Sequence, residues 1–386
     1  MKILVTTGNW NAALVVMKSL ARKGHQIYLL DHDEYCAGFR SKYCSMGIVN
    51  PPESDKTVYV ESLLTLLRNG KFDVLIPMSD HTTEFLSEER DRIPPHVRML
   101  LPSKELIALA RFKDKSYRFM LENNIPIPRT HFPQSAEDVE RLADQLPYPC
   151  VVKKPRGSAN RGNAYFTGKN GLVEYYRRLE EKDRWPVIQQ YLDGDFCGFT
   201  AVVSEGEILD CFMYTAKQEY ALNGTPPYGE STTDKKFFEL VQRLIRLLKW
   251  HGAINLDFIK TGDGTFHFLE INPRLPGSLD FIDAAGLDFP ALYLDLALGR
   301  ADRTFKGFSY KPGLKFRFVL PLEMIYTLRN KRHLSKLLLN FFNPSLKTDI
   351  PWGDPQLLLW KLRHVWWYWR AKKHLLPLSE YSTDWI

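Results

Sequence analysis

Phe268-Leu269-Glu270-Ile271-Asn272-Pro273-Arg274 decides how this chain is read, together with Asn255-Leu256-Asp257-Phe258 upstream. Apolar and polar residues alternate in both runs, and the Gly-rich Thr261-Gly262-Asp263-Gly264 separates them, which predicts a β-hairpin. Side chains on a strand alternate faces. Glu270 and Asn272 therefore share one face, while Leu269 and Ile271 are expected in a core. Asp257 lies on the partner strand and can face them. The expected product is two carboxylates and an amide oxygen on one wet face, with Arg274 two residues beyond Asn272. Hard oxygen ligands of this kind suit Mg²⁺, which is usually held by one or two carboxylates plus substrate phosphates. The plain alternative is a solvated hairpin with ordinary surface acids, and the hairpin alone does not choose between the two.

Upstream lie parts that a nucleotide would need. Cys150-Val151-Val152-Lys153-Lys154-Pro155 is an apolar strand ending in lysines, and it runs into Arg156-Gly157-Ser158-Ala159-Asn160-Arg161-Gly162. Small residues let backbone N–H groups approach and cradle phosphate oxygens, and a lysine at the strand end adds a point charge. No Gly-Lys-Ser/Thr follows the glycines, so this is not a Walker loop, and a basic surface turn is its plain alternative. Trp185-Pro186-Val187-Ile188-Gln189-Gln190-Tyr191-Leu192-Asp193-Gly194 is a second strand running into a turn. Such a hinge offers an adenine ring an apolar slot with backbone polar groups at its edge, and Asp193 or Asp195 offers a ribose an acid. A buried strand with a solvated turn is the competing reading.

The order of these pieces resembles the ATP-grasp superfamily. Within it, the chain looks like the carbamoyl-phosphate-synthase-like carboxylate–amine ligases. The series runs from a helix opening at Asp114-Lys115, through Asn124-Ile125-Pro126-Ile127-Pro128, Val151–Pro155 with its loop, Gln189–Leu192 and Asp257, to Glu270-Ile271-Asn272-Pro273-Arg274. It covers roughly residues 1 to 300, and Glu-Ile-Asn-Pro-Arg is its most specific motif. The resemblance implies that Lys115 and Lys154 reach nucleotide phosphates and that Gly157, Ser158 and Gly162 belong to a loop closing over them. It implies an adenine hinge at Gln189, Gln190 and Leu192, with Asp195 nearby. Asp257, Glu270 and Asn272 match the Mg²⁺ ligands, which can also take Mn²⁺, and Arg274 matches the arginine beside the γ-phosphate and the acyl-phosphate. Gln189 stands where Glu is common, yet keeps an acceptor oxygen. Asp257 stands where Glu is common, yet remains a hard oxygen ligand.

The implied chemistry is activation of a carboxylate by ATP. The carboxylate attacks the γ-phosphate, ADP leaves, and an amine or similar nucleophile then displaces phosphate from the acyl-phosphate. Lys154 and Arg274 are the implied catalytic residues, as clamps on the transferring group. No covalent nucleophile is needed. Two alternatives share these motifs: an amino-acid or peptide ligase, and a non-catalytic ATP-binding regulator of the same fold. Small-molecule carboxylates and amines are the implied substrates, and similar ligases are often homodimers.

Composition agrees with an ordinary enzyme. The 386 residues carry 44% apolar side chains, enough for two or three cores. A net charge of +7 suits anionic substrates such as ATP and does not point to nucleic acid. Cys36, Cys44, Cys150, Cys197 and Cys211 are scattered without a Cys-x-x-Cys pair, which argues for reduced thiols in a cytoplasmic setting. Met1-Lys2-Ile3-Leu4-Val5-Thr6-Thr7-Gly8 reads as a buried strand rather than a signal peptide, and no apolar run reaches the roughly 18 residues of a membrane span.

The expected architecture is α/β and α+β in three parts. Residues 1–110 alternate strands (Ile3–Thr7, Gln26–Asp31, Val74–Pro77) with helices (Ala12–Lys23, Val58–Arg68), a parallel pre-ATP-grasp domain. Its turns at Thr7-Gly8-Asn9-Trp10-Asn11 and Met78-Ser79-Asp80 follow strand carboxyl ends, where such sheets bind ligands. The full Gly-x-Gly-x-x-Gly of a dinucleotide fold is missing there. Residues 111–310 form a two-lobed body, with a central subdomain over about 111–190 and a C-terminal lobe over about 191–310. Within the latter, Thr215–Glu219 and Thr225–Glu230 read as loop. Residues 311–386 are a C-terminal extension, partly helical, aromatic and basic. It holds a short apolar helix at Leu334–Phe342 and a basic, tryptophan-dense segment over 352–376. That segment reads either as a helix packed on the body or as an interfacial helix on the inner face of a membrane.

Overall fold

The computed structural model describes residues 1–156, 163–179, 185–217, 228–302, 304–320, 324 and 346–371. The first element is strand β1 (Lys2–Val5), followed by helix α1 (Asn11–Arg22), strands β2 (Gln26–Asp31) and β3 (Met46–Val49), helix α2 (Lys56–Gly70), strand β4 (Val74–Ile76) and helix α3 (Asp80–Glu88). The strands form a parallel sheet in the order β3-β2-β1-β4. Side-chain caps start the later helices: Asp55 accepts from Val58 N, and Ser79 accepts from Thr82 N. The order reverses between β1 and β4, so a crevice opens there at the carboxyl ends of the strands. The Thr7–Trp10 turn and Met78–Asp80 line it, tied together by Met78 N donating to Thr6 Oγ1 at 3.0 Å. Strand β3 is an edge strand with mostly exposed side chains, which is why periodicity alone does not reveal it.

Helices α4 (Lys104–Arg111) and α5 (Lys113–Glu122) lead into a small antiparallel layer. It comprises β5 (Thr130–His131), α6 (Ala136–Ala143), β6 (Cys150–Lys153), β7 (Ala164–Phe166), α7 (Lys169–Arg177) and β8 (Val187–Gln190), with strand order β5-β8-β6-β7. Its core is small: Val139, Cys150, Val152, Leu172, Tyr176 and Ile188.

The large sheet has the order β13-β12-β9-β10-β11-β14-β15. Its members are β9 (Asp195–Ser204), β10 (Glu207–Lys217), β11 (Tyr228–Ser231), β12 (Gly252–Lys260), β13 (Phe266–Asn272), β14 (Lys315–Arg317) and β15 (Leu346–Thr348). Helix α8 (Lys235–Leu248) covers one face, with Phe237, Val241, Leu244 and Ile245 packed against Phe199, Phe258 and Phe268. Helices α9 (Leu279–Ala284) and α10 (Phe289–Ala297) lie on the other face and also against α1, so one apolar core runs from Val16 of α1 to Phe212 of β10. The chain is therefore α/β and α+β, as expected, and resembles the two-lobed grasp in layout.

Three expectations change. Thr215–Lys217 is the end of strand β10 and Tyr228–Glu230 belongs to strand β11, so neither is loop; Gln218–Glu219 and Thr225–Pro227 lie outside the described residues. The C-terminal extension, expected to be partly helical, also adds two strands that the sequence reading did not find, β14 and β15, to the large sheet as a parallel pair. Leu334–Phe342 lies outside the described residues. Finally, Leu269 is not a core residue. The β12–β13 register pairs Asp257 with Glu270 but Phe258 with Phe268, so Leu269 is an unpaired bulge residue. The bulge resets the alternation. Phe268 and Ile271 reach the core, and Leu269 is left half-buried.

Two hydrogen bonds close the hairpin, Thr261 N to Thr265 O at 3.0 Å and Gly264 N to Thr261 O at 2.8 Å. Gly264 takes φ +83°, which a side chain would resist. The last described helix, α11 (Pro355–Ala371), docks on the N-terminal domain. Leu357 enters the core, and Trp360 Nε1 donates to Tyr35 O at 2.7 Å.

The bulge makes a stability prediction. Phe268→Ala should cost about 3–5 kcal/mol in urea unfolding, and Leu269→Ala less than about 2 kcal/mol. Equal costs would contradict the bulged register.

Candidate active site

Strand pairing builds the site floor. Asp257 stands opposite Glu270, and Asn255 opposite Asn272, all four on the face away from Phe258 and Ile271. The Asn255 amide donates to Asp257 Oδ1 at 2.9 Å and the Asn272 amide to Oδ2 at 3.1 Å. Gly198 of β9 sits beside Asp257, where a Cβ would come within 2.3 Å of the Tyr214 ring, so glycine lets that ring close the floor. Burial and the facing Glu270 carboxylate push Asp257 up to about 7, against the pull of the two amides and Arg274.

Two lysines meet this acid pair from the other lobe. Lys113 opens α5 and puts Nζ 3.3 Å from Glu270 Oε1. Lys153 ends β6, is buried, and donates to Tyr117 Oη at 3.1 Å. Tyr117 in turn donates to Leu269 O at 2.9 Å, so the bulge carbonyl helps to anchor the lysine. Burial lowers Lys153 to about 8, with Glu270 opposing the shift. The two lysines are near neighbours of those the motif pattern selects. Lys115 and Lys154 are exposed, and Lys115 Nζ lies 5.0 Å from the centre of the Phe112 ring. Two residues along a helix turn about 200°, and one residue along a strand changes face, so each pair splits between inside and outside.

Arg274 is fixed from the N-terminal domain. Its Nε lies 2.8 Å from Oδ1 of Asp80, the first residue of α3, and its guanidinium sits 5.0 Å from the Trp10 ring centre. Burial alone would raise the Asp80 carboxyl, but Arg274 and Arg111 outweigh it and hold it below the usual range. Arg111 Nε also pairs with Glu84 at 3.0 Å, and Glu84 pairs with Arg156 at 3.0 Å, at the root of the Gly/Ser loop. Arg111 and Glu84 carry no motif signal in the sequence. Only their place on helices beside the crevice reveals them.

The remaining expected residues are placed as follows. Gln189 is buried on β8, beside Val151 of β6, with its amide donating to Thr130 Oγ1 at 2.9 Å. Gln190 ends β8 and Leu192 lies in the turn beyond it, both half-buried, while Asp193 in that turn and Asp195 at the start of β9 are exposed. Gly157, Ser158 and Gly162 lie outside the described residues. Among the described residues no group of three or more His, Cys, Asp or Glu converges on a metal-sized centre. The site offers two carboxylates with an amide instead, a donor set that fits a hard divalent ion completed by phosphate oxygens.

The chain is similar to several known proteins. A family model described as "ATP-grasp in the biosynthetic pathway with Ter operon" matches residues 187–315. The carbamoyl phosphate synthase large chain of Thermoanaerobacter sp. is 25% identical over 272 residues, covering 67% of this chain and 24% of that one. This chain therefore spans about a quarter of that relative. The D-alanine–D-alanine ligase of Pseudomonas fluorescens is 26% identical over 212 residues, covering 50% of this chain and 64% of the relative. Among solved structures, the biotin carboxylase domain of Hydrogenobacter thermophilus 2-oxoglutarate carboxylase, crystallised with MgADP, ADP and bicarbonate, superposes with a TM-score of 0.66. Its identity is 16%, over 81% of this chain and 73% of that one. The fold is thus the ATP-grasp fold. Residues 187–315 carry the sequence pattern of that family model, and the relatives found by sequence are similar over half to two thirds of this chain.

The raised Asp257 has a consequence for stability. Its folded pKa of about 7 exceeds the ordinary 3.8, so the fold favours the protonated acid. That stabilisation is complete below about pH 4 and is lost as pH rises to 7. Asp257→Asn should therefore stabilise the metal-free protein at pH 8, on the order of 2 kcal/mol, and change little at pH 4. Thermal melts with a chelator check this. Destabilisation at pH 8 would contradict it.

Proposed function

We propose that this protein is an ATP- and Mg²⁺-dependent ligase that joins a small-molecule carboxylate to an amine. The observation that carries the reading is the facing Asp257–Glu270 pair, flanked by Lys113, Lys153 and Arg274. Three cations around two acids suit a polyanion that brings its own divalent ion. Asp257, Glu270 and the Asn272 amide oxygen would hold that ion, which supplies positive charge to the phosphates. Lys113 and Lys153 bind phosphate oxygens, and the lowered pKa of Lys153 marks a cation whose buried setting a phosphate would relieve. A carboxylate oxygen attacks the γ-phosphorus and the bond to the β-phosphate oxygen breaks, giving an acyl-phosphate and ADP. The amine nitrogen then attacks the acyl carbon, the C–O bond to phosphate breaks, and the amine loses a proton. Arg274, held at the crevice by Asp80, stabilises the transferring phosphoryl group and the acyl-phosphate. The similarity to D-alanine–D-alanine ligases makes amino acids the first carboxylates to try.

A phosphate-release screen over pooled carboxylates and amines with Mg²⁺ and ATP tests the reading. Release should need both pools. Glu270→Ala should lower it by roughly 10²–10³-fold or more, with the circular dichroism spectrum unchanged. Wild-type turnover in Glu270→Ala would remove Glu270 from the site.

A further inference from the structure

Helix α11 has two different faces. Leu357 is buried, Trp360 is half-buried, and Lys361 Nζ donates to Asn11 Oδ1 at 2.8 Å, so this side is fixed to the N-terminal domain. Asp354, just before the helix, accepts from Ser41 Oγ and Lys42 N and secures its start. Leu359, Leu362, Arg363 and Trp366 fall within an arc of about 100° on the opposite side. Leu359 is 68% exposed, Leu362 39% and Trp366 51%. The helix therefore presents two leucines and a tryptophan to solvent from a rigid mount.

The charge of the segment narrows the partner. Residues 355–373 contain Lys361, Arg363, Arg370, Lys372 and Lys373 and no Asp or Glu. Five of the nine tryptophans of the chain, Trp352, Trp360, Trp366, Trp367 and Trp369, lie in or just before it. A second copy of the chain would bring two such acid-free basic segments together, with Arg363 facing its own counterpart. A nucleic acid would use the cations and leave Leu359 and Leu362 in water. An anionic bilayer takes all three features, because apolar side chains enter the acyl boundary, tryptophan sits at headgroup depth and cations meet lipid phosphate. No described helix is long and apolar enough to cross a membrane.

We propose that the outer face of α11 is a docking surface for an anionic phospholipid bilayer, with the helix lying in the plane of the interface. Vesicle flotation of the full-length protein tests this without nucleotide or substrate, and so independently of the ligase reading. The protein should float with phosphatidylcholine vesicles containing phosphatidylglycerol, should not float with phosphatidylcholine alone, and should be released by high salt. The double variant Leu359→Glu/Leu362→Glu should lose binding roughly tenfold or more, and Arg363→Glu should weaken it, both with unchanged melting temperature. Three results would overturn the proposal: no flotation with phosphatidylglycerol, undiminished flotation of the double variant, or a dimer that the double variant abolishes in a protein that binds no vesicles.

Discussion

Two carboxylates held face to face are the constraint around which this molecule is arranged. Backbone pairing between β12 and β13 places Asp257 against Glu270, whatever their charges prefer. Like charges in a half-buried setting raise the cost of ionisation, and the upward shift of Asp257 records it. Every neighbour offsets that cost in part. Asn255 and Asn272 donate to Asp257, Lys113 pairs with Glu270, and Arg274 adds positive charge. These groups come from the large sheet, the small lobe and the segment after β13, so the acid pair also dictates where those parts meet. A site left short of cation is less stable alone than it would be with ligand, and binding sites commonly carry that trade.

A chain of ion pairs extends the arrangement. Arg156, Glu84, Arg111, Asp80 and Arg274 succeed one another from the root of the Gly/Ser loop to the end of the hairpin strand. Buried pairs add little net stability over apolar packing, but losing one partner strands a charge at a cost of about 3–5 kcal/mol. Their value here is positional. Asp80 and Glu84 stand on α3, whose start lies at the crevice of the parallel sheet, so the N-terminal domain holds Arg274 in place.

Much of this was legible in the sequence. The hairpin showed because one of its faces is wet and the other dry, and the Glu-Ile-Asn-Pro-Arg motif singled out its acids. Gln26–Asp31 was legible as a strand for the same reason of pattern. Other features were hidden by physics that a single chain does not print. Val151 and Val152 are both buried, so β6 shows no alternation to tell whether Lys153 or Lys154 faces inward. The phase of α5 depends on where its first turn starts, and the helix opens at Lys113 rather than at the Asp114-Lys115 that the sequence reading chose. The Leu269 bulge is a pairing property, visible only once β12 is laid beside β13. Strands β14 and β15 are three residues each and join a sheet already formed, leaving almost no local signal.

The most direct measurement is a crystal structure with Mg²⁺ and a non-hydrolysable ATP analogue. The account predicts metal density about 2.0–2.1 Å from carboxylate oxygens of both Asp257 and Glu270, with triphosphate oxygens beside Lys113 and Lys153. A nucleotide bound elsewhere, or a metal that leaves both acids untouched, would contradict it.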